Sequence, residues 1–352
     1  MKKLKLGLVG CGNISSLYLT SIKSYDALEV LACSDLDETL AKTRASEFGI
    51  PNVLSVDELM AHPDIDCVVN LTTPQAHAAV AKQALQAGKH VYNEKPLAAE
   101  LKDAKEIVAL AKQKNLRLAC APSTFLGATV QTAKKAIENG LIGQPIAANA
   151  FFMNHGMEHW HPNPEPFYQP GAGPMFDIGP YYLTALVHLL GPVASVIAAA
   201  QTSFATRTMS TKARAGKSFS VTTPTHISGV LEFEAMVIAT VITSFDVWHT
   251  QMPKFEIYGS EGTLALEAPN TFGVKVSVRG AKDDAWRELP FVSEYQDFEA
   301  SWALSLADLA WAIGANRPHK ASGEQALHVL ELMQAFLRSA SLGERVVIES
   351  RP

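Results

Sequence analysis

The chain opens with short apolar runs set between longer amphipathic stretches, and it keeps that rhythm for about 120 residues. "LKLGLVG", "LEVLACSD", "DCVVNLTT", "KHVYNEKP" and "LRLACAP" are apolar at nearly every position, as strands buried on both faces are. Between them, "PQAHAAVAKQALQAGK" and "AELKDAKEIVALAKQ" (99–113) space their apolar residues as helices do, and the first of these stops at Gly88. Strands alternating with helices predict βαβ units and a parallel sheet.

After Pro122 the period changes. A helix is expected over 127–139, ended by Gly140, then a strand at 145–153, a proline-rich polar loop "NHGMEHWHPNPEPFYQPGAGP", and a helix over 175–190. Residues 193–278 read mostly as strands, among them "ISGVLEFE", "MVIATVITSFDVW", "KFEIYGS" and "GTLALEAP", and two helices close the chain near 297–315 and 323–342. "TRTMSTKARAGKSFS" (206–220) reads as an exposed loop. "MVIATVITSF" is apolar on both alternating faces, so one face should meet helices and the other something equally dry, another subunit. The expected organisation is an α/β domain with a parallel sheet over 1–122. An α+β domain follows over 123–352, with an open-faced, mostly antiparallel sheet and flanking helices. The last helices are free to pack back on the first domain.

Length and charge narrow the class. The chain has 352 residues, which suits two domains. A net charge of −5 provides no basic field for nucleic acid or an anionic membrane. The apolar run in "MKKLKLGLVGCG" is short, breaks into glycines and has no cleavage site, and no run approaches the roughly 18 apolar residues of a membrane helix. Cys11, Cys33, Cys67 and Cys120 form no C-x-x-C pair, so buried, reduced thiols in a cytoplasm are expected.

The first chemical signal is "GLVGCGNIS". Gly10 and Gly12 follow the first strand and precede a helix, where one permits a tight turn and the other lets a pyrophosphate reach the backbone. Ser15 stands where a third small glycine or alanine is usual. Asp35 ends the second strand 23 residues after Gly12, where an acid reaches a ribose 2′-OH. No lysine or arginine follows until Lys42, so NAD is favoured over NADP. A helix cap is the plainer reading of Asp35, but it leaves the glycines unexplained.

The second signal is "HVYNEKP", an acid, a lysine and a proline at a strand's carboxyl end, which in a doubly wound sheet faces the ligand crevice. Lys95 would stand beside the cofactor, and Glu94 would orient the lysine or the nicotinamide ribose. The third is "GAGPMFDIGPYYLT" (171–184), with Asp177 and Tyr181 four residues apart at the start of a helix. That spacing places them on one helix face. Asp177 as a helix cap and Tyr181 as core packing are the structural alternatives, and Tyr182 is expected to pack.

In this order along nearly the whole chain, "GLVGCGNIS", Asp35, "TTP" (72–74) with His77, "NEKP", "GAGPMFDIGPYYLTAL" and "YGSEGTLAL" resemble the Gfo/Idh/MocA family of oxidoreductases. The resemblance implies a Rossmann domain and an open-sheet domain that commonly forms a homodimer or homotetramer. It also implies NAD(P)-dependent oxidation or reduction of a sugar, cyclitol or related polyol. By position, Gly10, Gly12, Asn13, Ile14, Asp35, Thr72, Thr73, Pro74, His77, Glu94 and Lys95 match cofactor-contacting residues. The family's D-x-G-x-H motif keeps Asp177 and Gly179 here, while Tyr181 replaces histidine, as in some members.

Tyrosine can serve in that place. Oxidising a carbinol requires loss of the hydroxyl proton to a group within hydrogen-bond reach. A phenol titrates near 10, but a lysine ammonium at about 4 Å attracts its phenolate by roughly 4 kcal/mol at an effective dielectric of ~20, about three pKa units before desolvation. Lys95 and Tyr181 are therefore the expected catalytic pair, with Asp177 fixing a substrate hydroxyl or holding Lys95. In the loop after residue 153, His159, Trp160 and His161 are expected to line the substrate, Trp160 stacking on a sugar ring. With His155 these histidines form an H-x₃-H-x-H pattern, but the loop offers no rigid scaffold and no metal is expected. Two rival readings use the same fold: a redox-neutral NAD-dependent glycosidase or epimerase, and a non-catalytic NAD-binding sensor.

Overall fold

In a computed structural model, which describes Lys2–Thr211 and Arg214–Pro352, the alternating first third forms one parallel sheet. Its elements are β1 (Leu4–Val9), α1 (Asn13–Ile22), β2 (Leu28–Ser34), α2 (Glu38–Phe48), β3 (Asn52–Val53), α3 (Val56–Ala61), β4 (Cys67–Asn70), α4 (Pro74–Gln86), β5 (His90–Asn93), α5 (Leu101–Gln113) and β6 (Leu118–Cys120). The order is β3-β2-β1-β4-β5-β6, every pairing parallel. Chain direction away from β1 reverses between β1 and β4, and the crevice outside their carboxyl ends is the site such a sheet offers a ligand. All four cysteines are free and buried, most in or beside these strands.

The second sheet is built from β7 (Pro145–Met153), β8 (Val193–Gln201), β11 (His226–Phe233), β12 (Ile238–Ser244), β13 (Phe255–Gly259), β14 (Gly262–Leu266), β15 (Val276–Gly280), β16 (Arg287–Glu288) and β17 (Val346–Val347). A separate hairpin joins β9 (Thr206–Thr208) to β10 (Ser218–Ser220). In the order β16-β15-β14-β13-β7-β12-β11-β8-β17, only β7 and β12 run parallel. That one pair matters, because the loops leaving both strands emerge at the same edge. Helices α6 (Ala128–Glu138), α7 (Pro174–Asp177) and α8 (Gly179–Leu190) accompany this sheet, and α9 (Phe298–Ser301), α10 (Leu304–Gly314) and α11 (Gly323–Leu342) end the chain.

Compactness groups residues up to Gly127 with Tyr295–Leu330 and Ser350–Pro352, and Ala128–Glu294 with Glu331–Glu349. Within the first unit the late residues meet the early ones through specific contacts. The Trp302 ring meets Tyr18 edge-on at 6.4 Å. The Ser305 hydroxyl bonds that of Tyr92 at 2.8 Å, and Cys120 N–H donates to the Ala321 carbonyl at 3.1 Å.

Two expectations change. The helix over 175–190 is two helices, α7 and α8, because the chain breaks at Ile178. The stretch 206–220 is not an exposed loop but the β9–β10 hairpin, with Arg207, Met209 and Phe219 buried. Lys212 and Ala213 of that stretch lie outside the described residues. On β12, Ala239, Val241 and Thr243 are buried while Ile238 is exposed and Ile242 half-buried, so the strand has one covered and one open face.

Candidate active site

Three residues, Gly10–Cys11–Gly12, connect β1 to α1. The two glycines are needed for different reasons. Gly10 has φ +98°, and a Cβ there would lie 2.6 Å from the Leu71 carbonyl carbon and 2.8 Å from the Thr72 nitrogen. The protein itself therefore requires it. Gly12 has φ −66°, and a Cβ there would meet no described atom within 4 Å. Among the described residues nothing calls for glycine at 12, and the missing Cβ leaves the backbone there open to a ligand. The first turn of α1 carries no acid, and among the described residues no side chain caps its N-terminus, which leaves the turn for an anion.

Asp35 stands beside this loop. Its carboxylate accepts the Cys11 N–H at 2.7 Å and the Asp37 N–H at 2.9 Å, which fixes its orientation. Asp37, not Asp35, caps α2. Open space at Gly12, a free helix turn and an oriented acid together fit a dinucleotide whose ribose carries a 2′-OH. Sequence reading missed Arg44. Its Nη2 lies 3.5 Å from the Cys11 carbonyl and its Nη1 pairs with Glu47. Lys42, which the sequence offers first, is exposed and pairs with Glu38. Helical spacing is the missed signal, since Ala41 and Ala45 bury their face of α2 and turn Arg44 inward beside it.

The ends of β4 and β5 are knitted by amides. Asn70 and Asn93 are register partners. The Asn70 amide donates to Asn93 Oδ1 and the His77 carbonyl, both at 3.0 Å, and its oxygen accepts from the Thr72 hydroxyl at 2.7 Å. His77 is 1 % exposed. Its Nδ1 lies 2.6 Å from the Pro96 carbonyl and its Nε2 3.1 Å from the Thr72 carbonyl. A carbonyl can only accept, so the ring nitrogen that carries the proton donates, and the His77 ring sits between the loop after β4 and the loop after β5. Thr73 and Pro74 begin α4, where no described side chain caps the helix.

Glu94 is buried directly behind Lys95. It accepts the Tyr18 hydroxyl at 2.8 Å and the Lys95 backbone N–H at 2.7 Å. Tyr18 also meets the Tyr92 hydroxyl at 3.2 Å. Burial, and then the Glu94 charge, push the Tyr18 phenol well above its ordinary range, so it stays protonated and donates to Glu94. Glu94 thus holds the Lys95 backbone in place, with Tyr18 as its anchor.

In the second unit, Gly173 (φ +87°) turns the chain into α7, and a Cβ there would lie 2.9 Å from the Pro224 carbonyl oxygen. Asp177 is the last residue of α7 and half-buried, and the N-cap positions of α7 and α8 are Gly173 and Ile178. Tyr181 lies in the first turn of α8, a helix buried almost all round. Tyr182 packs edge-on to Phe152 at 6.1 Å and tilted to Phe255 at 6.3 Å.

Upstream, the loop after β7 meets the loop after β12, where Val247 N–H donates to the Asn154 carbonyl at 3.0 Å. The β9–β10 hairpin crosses both. Arg207 pairs with Glu158 at 2.8 Å and with Asp246, and donates to the Phe245 carbonyl at 2.9 Å. Tyr168 donates to Glu158 in turn, and burial followed by that acid pushes its phenol above the usual range. Of the three expected wall residues, only His159 lines the hollow formed there. Trp160 is exposed and meets His161 edge-on, and His161 packs on Phe167. Among the described residues no three His, Cys, Asp or Glu are grouped to hold a metal, and no helix is long and apolar enough to cross a membrane.

Comparison with known proteins follows this division. Residues 4–121 match the family model for an oxidoreductase family with an NAD-binding Rossmann fold, and residues 130–265 match the GFO/IDH/MocA C-terminal domain. Residues 300–352 also match a thioesterase superfamily model, but they are split between both compact units and form none of their own. An uncharacterized oxidoreductase of Schizosaccharomyces pombe is 32% identical over 56% of this chain, which spans 55% of that relative. A 1,5-anhydro-D-fructose reductase of Ensifer adhaerens is 28% identical, covering 98% of each chain. A solved levoglucosan dehydrogenase, in complex with NADH and levoglucosan, shares the fold at TM-score 0.83 and 20% identity, covering 99% of this chain and 100% of its own. With both domain models matched in order over an NAD-binding Rossmann sheet, the chain belongs to the Gfo/Idh/MocA family of oxidoreductases.

Proposed function

We propose that the chain is an NAD-dependent dehydrogenase or reductase acting on a CH–OH carbon of a sugar, cyclitol or related polyol. The observation that carries this reading is the pairing of an unneeded glycine, Gly12, with an oriented acid, Asp35. That pairing fits a dinucleotide without a 2′-phosphate, since a carboxylate repels one. The likeness to an anhydrofructose reductase and a levoglucosan dehydrogenase supports a sugar-type carbinol. Bound NAD supplies the hydride acceptor. Lys95 donates to the substrate oxygen and favours its alkoxide, Tyr181 takes the hydroxyl proton, and Asp177 fixes a neighbouring hydroxyl. The pairing of Lys95 with Tyr181 rests on the family pattern of these residues.

The open face of β12, β11 and β8, with Ile197 and Ile238 exposed and Ile242 half-buried, supports assembly as a homodimer or homotetramer through the sheet. The test of function is a panel of aldoses, inositols and sugar acids scored by NADH absorbance, with NADP⁺ in parallel. The expected result is NADH formation with at least one neutral sugar or cyclitol. Preference for NADP⁺ sinks the role of Asp35, and failure of every substrate to reduce NAD sinks the oxidoreductase reading.

A further inference from the structure

 The loops after β7 and β12 and the β9–β10 hairpin enclose a hollow of about 270 Å³. Water would fill such a space with roughly nine molecules at ~30 Å³ each. All of its lining comes from the second unit.

Two exposed aromatic rings stand at its rim, and each is backed from behind. Trp248, 69 % exposed, stacks on His155 with ring centroids 3.4 Å apart and planes 15° off parallel. Phe204, 47 % exposed, has the Arg207 guanidinium 4.7 Å from its centroid. Apolar rings held rigidly at a surface are platforms for a ligand with a flat apolar face. Along β9 the exposed positions are Thr206 and Thr208, two residues apart on one face, while Arg207 points the other way into the core. Hydroxyl groups therefore line one side of the hollow and aromatic rings another.

Charge selects among such ligands. Arg207 is matched by two acids, Glu158 and Asp246, each buried with it. His155 accepts from Arg207 Nη1 at 3.3 Å. A guanidinium only donates, so that ring nitrogen carries a lone pair and the imidazole is neutral. Burial, and then the Arg207 charge, lower its basicity in agreement. Arg207 is the one lysine or arginine among the described lining residues, and its charge is met by those two acids.

We propose that this hollow holds a neutral sugar ring, its apolar face on Trp248 and Phe204 and its hydroxyls on Thr206 and Thr208. The proposal rests on the sugar-substrate reading and adds the place in the second unit where a ring is bound. The binding is measured by titration calorimetry and saturation-transfer NMR with D-glucose, D-galactose, myo-inositol and D-gluconate, on wild type, Trp248→Ala, Phe204→Ala and Thr206→Val/Thr208→Val. Circular dichroism checks the fold, which these exposed positions should not disturb. The expected result is binding of at least one neutral probe. Its dissociation constant should rise about tenfold or more in Trp248→Ala and several-fold in the others, and gluconate should bind at least tenfold more weakly. No binding by any neutral probe, or binding that the ring variants leave unchanged, overturns the proposal. Separate outcomes test the two readings: a wild type that reduces NAD with a sugar while Trp248→Ala binds it equally well retains the oxidoreductase and loses the hollow. Trp248-dependent binding with no NAD reduction retains the hollow and loses the oxidoreductase.

Discussion

The glycine loop of the first unit and the hairpin-crossed loops of the second are built by opposite means. The loop uses three residues between a strand and a helix, and the room it offers comes from what is missing among the described residues: a Cβ at Gly12 and a side-chain cap on α1. The second region gathers segments from three parts of the chain and ties them with one buried cation, Arg207, between Glu158 and Asp246. A site formed by omission depends on local backbone, whereas one formed by gathering depends on a few distant contacts. Each is vulnerable at a different kind of residue.

The largest expected effect lies beside the first region. Lys95→Met should lower NADH formation about a thousandfold or more, near 4 kcal/mol of barrier, while the NAD dissociation constant by titration stays within a few-fold. Loss of NAD binding would instead make Lys95 a cofactor anchor. Next is the keystone of the second region. Arg207→Met leaves two buried acids unpaired and should destabilise by about 3–5 kcal/mol, read as a lower unfolding midpoint, with Arg207→Lys recovering part of the loss. A midpoint unchanged in Arg207→Met would show that the gathered loops do not need their tie.

The glycines sharpen the contrast at smaller scale. Gly10→Ala should cost roughly 2–4 kcal/mol through backbone strain and its clash at Leu71. Gly12→Ala should leave stability within about 0.5 kcal/mol yet weaken NAD about tenfold. If both lose stability alike, Gly12 serves the fold after all. The smallest effect is that of pH. Burial lowers the basicity of His90 and His319 in the first unit and of His155 in the second. Below about 6.5 the unfolded chain takes up protons that these rings refuse in the fold. Stability is then present above that pH and declines as pH falls through it, which thermal unfolding between pH 7.5 and 5 measures.

Local motifs were legible and gathered ones were not. The loop at 10–12, Asp35 and "NEKP" are contiguous or set by one strand-helix repeat, so the residues name their own neighbours. Arg207 does not: its partners lie 49 and 39 positions away, and its stretch is polar enough to read as solvent-exposed. Trp248 lies past the end of β12 and reads as a strand residue. The break between α7 and α8 was signalled by Gly179 and Pro180, which open α8, since proline has no N–H with which to continue a helix already begun. Glu94 was found as a member of the site, but its partner Tyr18 came from an unremarked position on α1, 76 residues earlier.

The recruitment of Tyr295–Leu330 into the first unit has a consequence for biosynthesis. Trp302, Ser305 and Ala321 complete contacts to Tyr18, Tyr92 and Cys120. Those partners leave the ribosome long before the residues that complete them. At about 5–20 residues per second the gap between Gly127 and Leu330 lasts roughly 10–40 s. The nucleotide-binding half is the first to be translated and among the last to be finished, so a chain stalled midway presents a partly assembled Rossmann sheet to the chaperones that meet it.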